Sequence, residues 1–299
     1  MTSPLLAGGG HQLDDPAVEK AMLFAFEQIS DDHFRAAPIP SSLLRLYGGQ
    51  VMSQAVAAIQ RTVPDETRIH SCHAYFIRPG NVALPLEFKV SRDRDGRSFA
   101  ARRVEVLQAG QVILTLAGSF HVPEDGPDYR CAMPDVPPPE GLKTMAEAIV
   151  EAGDRLPEWH RPFWRRDLLI DWVPVEPFSL FDDTPMPAHR HFWIRLKYPL
   201  GDEPNEHLRY FAYASDLNIL YTGLRPLGLG WARENIQAAS LDHAIWFHDC
   251  FRVDEWLLYE MDSPILSGAR SFGRGKVFTR DGRLVASVAQ EGLLRMKYD

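Results

Sequence analysis

The feature that most constrains this chain is a repeat of its own sequence. Three short patterns of the first half recur in the second half in the same order, 170, 172 and 173 positions later. The pairs are His73-Ala74-Tyr75-Phe76 with His243-Ala244-Ile245-Trp246, Gly110 with Gly282, and Ser98-Phe99 with Ser271-Phe272. Near-equal offsets in an unchanged order indicate an internal duplication. The chain is therefore expected to fold as two similar units packed side by side.

Each half combines one long apolar helix with a series of strands. Residues 50–63, after the chain break predicted at Gly48-Gly49, are rich in alanine and poor in charge, which predicts a helix buried on most sides. Residues 206–220 carry apolar side chains at i, i+3, i+4 and i+7 spacing and predict the helix of the second half. Residues 16–29 predict a further helix that opens with Asp15 as its cap.

Strands follow each long helix. Ala109-Gly110 marks a hairpin in the first half, and Asp281-Gly282 predicts a type I′ hairpin turn in the second. The predicted strands cover residues 69–77, 84–90, 99–107, 111–122, 168–175, 190–198, 236–248 and 256–265, with a last hairpin within 271–296. This pattern predicts an α+β fold in which two antiparallel sheets pair continuously and cover their edges.

The composition changes along the chain and sets the expected boundaries. The glycine-rich start is typical of a flexible tail. The stretch after residue 125 is rich in proline, which predicts a linker. The predicted organisation is a tail at 1–15, a first repeat at 16–125, a linker region at 126–185, and a second repeat at 186–299 that carries the functional residues.

Bulk properties exclude several classes of protein. A net charge of −8 argues against a nucleic-acid surface, which needs clustered basic residues. The cysteines Cys72, Cys131 and Cys250 have no disulfide or zinc spacing and are expected to be reduced thiols. No apolar run reaches the length of a membrane span, and no secretory leader or peroxisomal tripeptide is expected. These observations favour a cytoplasmic protein.

Differences between the two repeats indicate where chemistry lies. The second copy carries Asp216, Ser240 and Gln290, where the first has Gly118-Ser119 near its last strand and no matching acid. An acid, a hydroxyl and a carboxamide together are able to hold and activate a water molecule. Taken alone, Asp216 also fits an ordinary surface aspartate. Walker A, GxSxG and HExxH motifs are absent from the sequence.

Two histidines are candidates for a structural role. His73 and His243 are repeat counterparts, and Asp242 and His243 are neighbours in a predicted strand. Neighbouring strand residues point to opposite faces, so Asp242 and His243 are not expected to serve one site together.

Longer motifs lie in both halves of the chain. They are YGGQVMSQA, HSCHAYFIRPG and DGRSFAARRVEVLQAGQ in the first half, and YASDLNIL, SLDHAIWFH, DEWLLYE and RDGRLVASVAQEGLLR in the second. Together these motifs resemble one known family, acyl-CoA thioesterase II. The resemblance spans nearly the whole chain apart from the tail and residues 123–185. It implies a double hotdog fold, in which each of two tandem repeats wraps an antiparallel sheet around a long helix.

The resemblance also implies a reaction. In that family an Asp, a Ser or Thr and a Gln order the hydrolytic water, and the matching motifs assign these roles to Asp216, Ser240 and Gln290. The substrate would be acyl-CoA, with no metal or other cofactor, and the protein would be a homo-oligomer, either dimer or tetramer. Two alternatives stay open, a hotdog enoyl-CoA hydratase and a non-catalytic acyl-CoA-binding protein.

Contacts with the CoA phosphates need basic side chains. The candidates are Arg270, Arg274 and Lys276, which follow one another on a predicted strand of the second repeat. Exposed basic residues are also commonly just solvated charges, so the sequence leaves both interpretations open.

Overall fold

The computed structural model describes residues 15–296 except 157, 159–168, 179–180, 182–183 and 231–235. The predicted tail lies outside the described residues apart from Asp15. The helices are α1 Pro16–Leu23, α2 Gly48–Gln60, α3 Met145–Ala152 and α4 Pro204–Ser215, with 3₁₀ turns at Gly153–Arg155 and Leu220–Leu227. Within this part of the chain, no helix combines the length and apolar character that crossing a bilayer requires.

All the strands in the described part of the chain join one antiparallel sheet. In chain order they are β1 Phe26–Ser30, β2 His33–Ala36, β3 Arg68–Phe76, β4 Leu86–Asp95, β5 Phe99–Gln108, β6 Gln111–His121, β7 Ile170–Pro174, β8 His189–Leu196, β9 Ile236–Ser240, β10 Asp242–Phe247, β11 Leu257–Ser267, β12 Arg270–Thr279 and β13 Leu284–Met296. Strand β7, from the predicted linker region, pairs with β8 at one edge of this sheet.

The strand order is nearly symmetric about its centre. It runs β1-β2-β4-β5-β6-β3-β10-β13-β12-β11-β8-β7, and β9 pairs with β13 beside this path. The repeat counterparts β3 and β10 are the two central neighbours, with His73 opposite Ala244 and Ala74 opposite His243. Continuous pairing of the two sheets, predicted from the duplication, is confirmed, and so is the double hotdog fold.

The two long helices lie together inside the curved sheet and run antiparallel. At one end Gln60 Nε2 of α2 donates to the carbonyl oxygen of Asn205 in α4, at 3.2 Å. At the other end the Tyr47 hydroxyl, just before α2, donates to the carbonyl oxygen of Tyr213, at 2.7 Å. Because α2 is enclosed by strands on one side and by α4 on the other, every residue from Gly49 to Ile59 is buried. The predicted burial of this helix is confirmed.

Several local predictions were wrong. Helix α2 already begins at the predicted break Gly48-Gly49, and Leu241 divides the predicted strand 236–248 into β9 and β10. Residues 26–29 are not helical, because β1 pairs with β2 and the Phe26 ring packs against Phe34 and Phe88. The turn at Asp281-Gly282 is not type I′, since Gly282 has φ of +92° but Asp281 does not have a positive φ. The helix predicted to reach residue 220 ends at Ser215, because Asn218 takes the left-handed conformation with φ of +73°.

The Ala109-Gly110 hairpin has the two positive φ angles of a type I′ turn, +47° and +77°. Replacing Gly110 by valine is therefore expected to lower the free energy of unfolding by about 1–2 kcal/mol, since a β-branched residue is strained there. Gly126 is an exposed glycine with open space around its Cα and no positive φ. Its valine variant is the control, and urea denaturation of both proteins measures the difference. Equal losses of stability would contradict the assignment of this turn.

Candidate active site

The site begins where α4 ends. Asp216 is the residue after the last helical turn and is partly buried. Two tyrosine hydroxyls hold the carbonyls of this turn, which have no partner inside the helix: Tyr47 donates to Tyr213 at 2.7 Å, and Tyr259 donates to Ser215 at 3.0 Å. With its end fixed from both repeats, α4 presents the Asp216 carboxylate in one direction.

A shift in strand register places the hydroxyl and the carboxamide beside this carboxylate. Ser240 ends β9 and pairs with Gly292 of β13, whereas β10 pairs with β13 one residue out of that register, with Ala244 opposite Ala289. An extra residue of this kind changes which face the following side chains occupy. Ser240 and Gln290 therefore both point toward the end of α4.

The three predicted residues are in mutual contact. Gln290 Nε2 donates to Asp216 Oδ1 at 2.7 Å and to Ser240 Oγ at 2.8 Å. Ser240 Oγ donates to the same Asp216 Oδ1 at 3.2 Å. Gln290 is fully buried, so both hydrogens of its amide are used within the triad. The carboxylate is thus held through one oxygen, and Oδ2 is left to face its surroundings.

The first turn of α2 faces that second oxygen. A Cβ placed on Gly48 would lie 2.7 Å from Asp216 Oδ2, and one on Gly49 would lie 2.4 Å from the Tyr213 carbonyl oxygen. The helix starts at Gly48 with Tyr47 as its N-cap and without a side-chain cap. Its first N–H groups and the positive end of its dipole therefore lie at the same end of the helix as the carboxylate.

Sequence reasoning missed this contribution of Gly48 and Gly49, since it read them as a chain break. The available signal was a pair of glycines directly before an otherwise strong helix. Glycine costs about 1 kcal/mol relative to alanine inside a helix, so two in one turn indicate a close approach by another group.

A cavity of about 140 Å³ opens onto the triad. Its walls are formed by Tyr47, Asp216, Leu217, Asn218, Leu220, Tyr221, Ala238, Ala239 and Ser240. Burial, with a smaller contribution from the Asp216 carboxylate, raises the pKa of Tyr221 to about 12, so this phenol stays protonated at neutral pH. The pocket therefore combines apolar walls with a few polar groups at one end, as small-molecule sites do.

The three basic candidates lie elsewhere. Arg270, Arg274 and Lys276 are exposed on the outward face of β12 and are ion-paired with Glu291, Asp262 and Glu260, at 2.9, 2.8 and 3.1 Å. Gln290 pairs with Gly273, which faces the opposite, buried side of the same strand. The structure does not bring these three residues to the triad, and their contact with CoA stays a prediction.

Asp242 and His243 point in opposite directions, as expected for strand neighbours. The Asp242 carboxylate lies 3.3 Å from His73 Nε2 and accepts the Glu291 backbone N–H, whereas His243 is fully buried. Among the described residues, no three His, Cys, Asp or Glu side chains converge as a metal-binding group would require.

Comparison with known proteins places the chain in a family. The model for the acyl-CoA thioesterase N-terminal domain matches residues 37–121, and the acyl-CoA thioesterase model matches residues 170–293. Human acyl-coenzyme A thioesterase 8 is 33% identical over 97% of this chain and 94% of its own length. The chain belongs to the acyl-CoA thioesterase family. It is therefore an enzyme of the thioester hydrolase class.

Bacterial relatives extend this similarity. Acyl-CoA thioesterase 2 of Haemophilus influenzae is 32% identical over 91% of this chain and 96% of its own. Among solved structures, the acyl-CoA thioesterase II TesB2 from Mycobacterium marinum is 36% identical, with a TM-score of 0.74 over 93% of this chain and 98% of that chain. A hot dog fold protein from Alicyclobacillus acidocaldarius, 18% identical with a TM-score of 0.71 over 94% of this chain and 99% of that chain, shares the fold.

In this thioesterase the first repeat lacks a second copy of the triad. Gly118 of β6 lies opposite Arg102 of β5, as Gln290 of β13 lies opposite Gly273 of β12. A Cβ on Gly118 would lie 2.5 Å from Ile59 Cδ1. The Arg102 guanidinium is buried and bonds Thr62, Asp95 and neighbouring carbonyls. The position matching the carboxamide is thus occupied by packed side chains.

The close approach of Gly48 to Asp216 yields a test. Gly48→Ala is expected to lower the rate of acyl-CoA hydrolysis by about 10²-fold, because the added methyl group displaces the carboxylate and small misplacements of reacting groups are this costly. Gly201→Ala, where open space surrounds the glycine, is the control. Release of free thiol measures both rates, and circular dichroism checks folding. A Gly48→Ala enzyme with unchanged turnover would show that the first turn of α2 does not border the reacting atoms.

Proposed function

We propose that this enzyme hydrolyses acyl-CoA to a free fatty acid and CoA, using a water molecule activated by Asp216. The observation that carries the proposal is the shared contact of Asp216 Oδ1 with Gln290 and Ser240, which leaves Oδ2 directed at the first turn of α2. A carboxylate with one oxygen held and the other available is suited to accept a proton from water.

The steps follow from this arrangement. Water bound at Asp216 Oδ2 loses a proton to the carboxylate while its oxygen attacks the thioester carbonyl carbon. The carbon–sulfur bond then breaks, and the CoA thiolate takes up the proton, so that acyl-CoA and water give carboxylic acid and thiol. Gln290 acts by fixing Asp216 and Ser240, since both of its N–H bonds are committed to them.

The negative charge that develops on the carbonyl oxygen needs hydrogen-bond donors. The N–H groups of Gly48 and Gly49 support this role, because they open α2 without a side-chain cap and lie beside the carboxylate. Backbone N–H groups at a helix start are fixed in place before the reaction and favour negative charge. The acyl chain then extends along the apolar walls formed by Leu217, Leu220 and Ala238.

The two alternative functions are disfavoured by the same geometry. A hydratase of this fold would need a histidine at the site, but His243 is fully buried behind the triad and is not part of the pocket wall. A passive binder has no need of a buried amide that holds a carboxylate. Assembly as a homodimer or homotetramer and a cytoplasmic location stay predictions.

The central test is Asp216→Asn. The amide has the same shape but does not accept the proton, so turnover is expected to fall by about 10²–10⁴-fold. Thiol release from a panel of short to long acyl-CoAs measures the loss, and hydration of an enoyl-CoA is assayed in parallel. Wild-type turnover in a folded Asp216→Asn enzyme would overturn the proposal, and hydration without thiol release would support the hydratase instead.

Ser240 offers a matched pair of variants. Ser240→Ala is expected to lower kcat by about 10–100-fold, because a hydrogen bond to a charged group contributes about 1.5–3 kcal/mol. Ser240→Thr keeps the hydroxyl and is expected to retain turnover. Steady-state kinetics on one acyl-CoA compare the two enzymes. If alanine and threonine lower kcat equally, the effect is steric and the hydroxyl has no role.

A further inference from the structure

A buried histidine lies directly behind the triad. His243 of β10 and Gln290 of β13 are opposite one another, as the neighbouring pair Ala244 and Ala289 shows. Both residues are fully buried, and side chains on directly opposite strand positions are in contact distance. The mechanism proposed above does not use His243.

The orientation of the Gln290 carboxamide leaves its oxygen in need of a hydrogen-bond donor. Its nitrogen donates to Asp216 and Ser240, so the amide oxygen must point away from the carboxylate. Among the described residues, Gln290 Oε1 and His243 Nδ1 are both buried polar atoms without a hydrogen bond of standard geometry in this structure. A buried acceptor beside a group able to donate is satisfied at little cost by a small adjustment, and leaving it unsatisfied costs more.

The opposite side of the imidazole determines which nitrogen carries the proton. Ser215 Oγ lies 2.9 Å from His243 Nε2 and 3.2 Å from the Ala212 carbonyl oxygen, and its one hydrogen serves either contact. If Ser215 donates to Nε2, the ring proton is on Nδ1 and points at Gln290. If Ser215 donates to Ala212 instead, the single ring proton is on Nε2 and donates to Ser215 Oγ. Nδ1 then carries no proton, and its lone pair faces a lone pair of the Gln290 oxygen. Only the first arrangement satisfies every buried group.

The charge state of the ring agrees with this arrangement. Burial lowers the pKa of His243, although the Asp216 carboxylate and the proximity of the Gln290 carboxamide act in the opposite direction. The ring is therefore neutral at pH 7 and has a single N–H to donate.

We propose that His243 is a positioning residue, which donates from Nδ1 to Gln290 Oε1 and so fixes the carboxamide with its nitrogen toward Asp216. The chain of hydrogen bonds then runs from Ser215 through His243 and Gln290 to the carboxylate. Without the histidine donor, the amide turns or exchanges its two ends, and its oxygen then repels the carboxylate that it should hold. This inference rests on the proposed function, because it assigns His243 a role through the same triad.

Two conservative variants separate this role from a merely structural one. In His243→Asn the amide nitrogen takes the place of Nδ1 and can donate to Gln290. In His243→Gln the amide reaches the place of Nε2 and can bond Ser215 but not Gln290. We expect His243→Gln to lower kcat about tenfold or more with KM little changed, since an interaction needed for the chemical step is lost, and His243→Asn to keep most of kcat. The reverse ranking, or equal losses, would overturn the proposal.

A double-mutant cycle gives the second readout. Gln290→Met removes the carboxamide at similar volume, and His243→Gln is measured alone and in that background. If His243 acts through the carboxamide, its substitution lowers kcat in the wild type but changes it little in Gln290→Met. The same loss in both backgrounds would show that His243 acts only on packing. If Gln290→Met itself has wild-type kcat, the role of the carboxamide in the proposed mechanism fails, and the role of His243 fails with it. A slow Gln290→Met with additive effects overturns only the role of His243.

Discussion

The antiparallel contact between α2 and α4 is the constraint on which the site depends. Gly48 and Gly49 have no side chain, so the start of α2 approaches the end of α4 closely enough to face the Tyr213 carbonyl and Asp216. The positive end of one helix then meets the carboxylate that follows the negative end of the other. The surrounding sheet encloses both helices and keeps this contact fixed, so the duplication serves catalysis by supplying two helices of opposite direction.

The two repeats have similar backbone folds but contribute different residues to the site. The first contributes the glycines of α2 and Tyr47, and the second contributes Asp216, Ser240 and Gln290. A buried polar triad is unfavourable unless all its members are hydrogen-bonded, and the first repeat has no such triad. At the matching position of the first repeat, Ile59 packs against Gly118, and Arg102 is bonded to Thr62 and Asp95. Duplication followed by filling of one site accounts for the asymmetry.

The sequence predicted most of the fold because its periodic segments are long and repeated. Its failures lie where tertiary contacts outweigh local preference. Phe26 leaves the predicted first helix to pack between strands, and α4 stops at Ser215 because Asn218 adopts a positive φ. For the site, the triad was predicted by comparing the repeats and by family resemblance. The register shift at Ser240 was not predictable, because alternation along a strand does not reveal an extra residue.

The choice of an amide beside the carboxylate follows from its buried position. Gln290 is fully buried, and a second carboxylate there would repel Asp216. A hydroxyl is too short to bond both Asp216 and Ser240 at 2.7 and 2.8 Å from one strand position. The amide donates twice without titrating, so Asp216 keeps a single defined role. The amide oxygen, however, needs a hydrogen-bond donor on the side away from Asp216. His243, which lies opposite Gln290 on β10, is therefore part of the site although it lies outside the pocket.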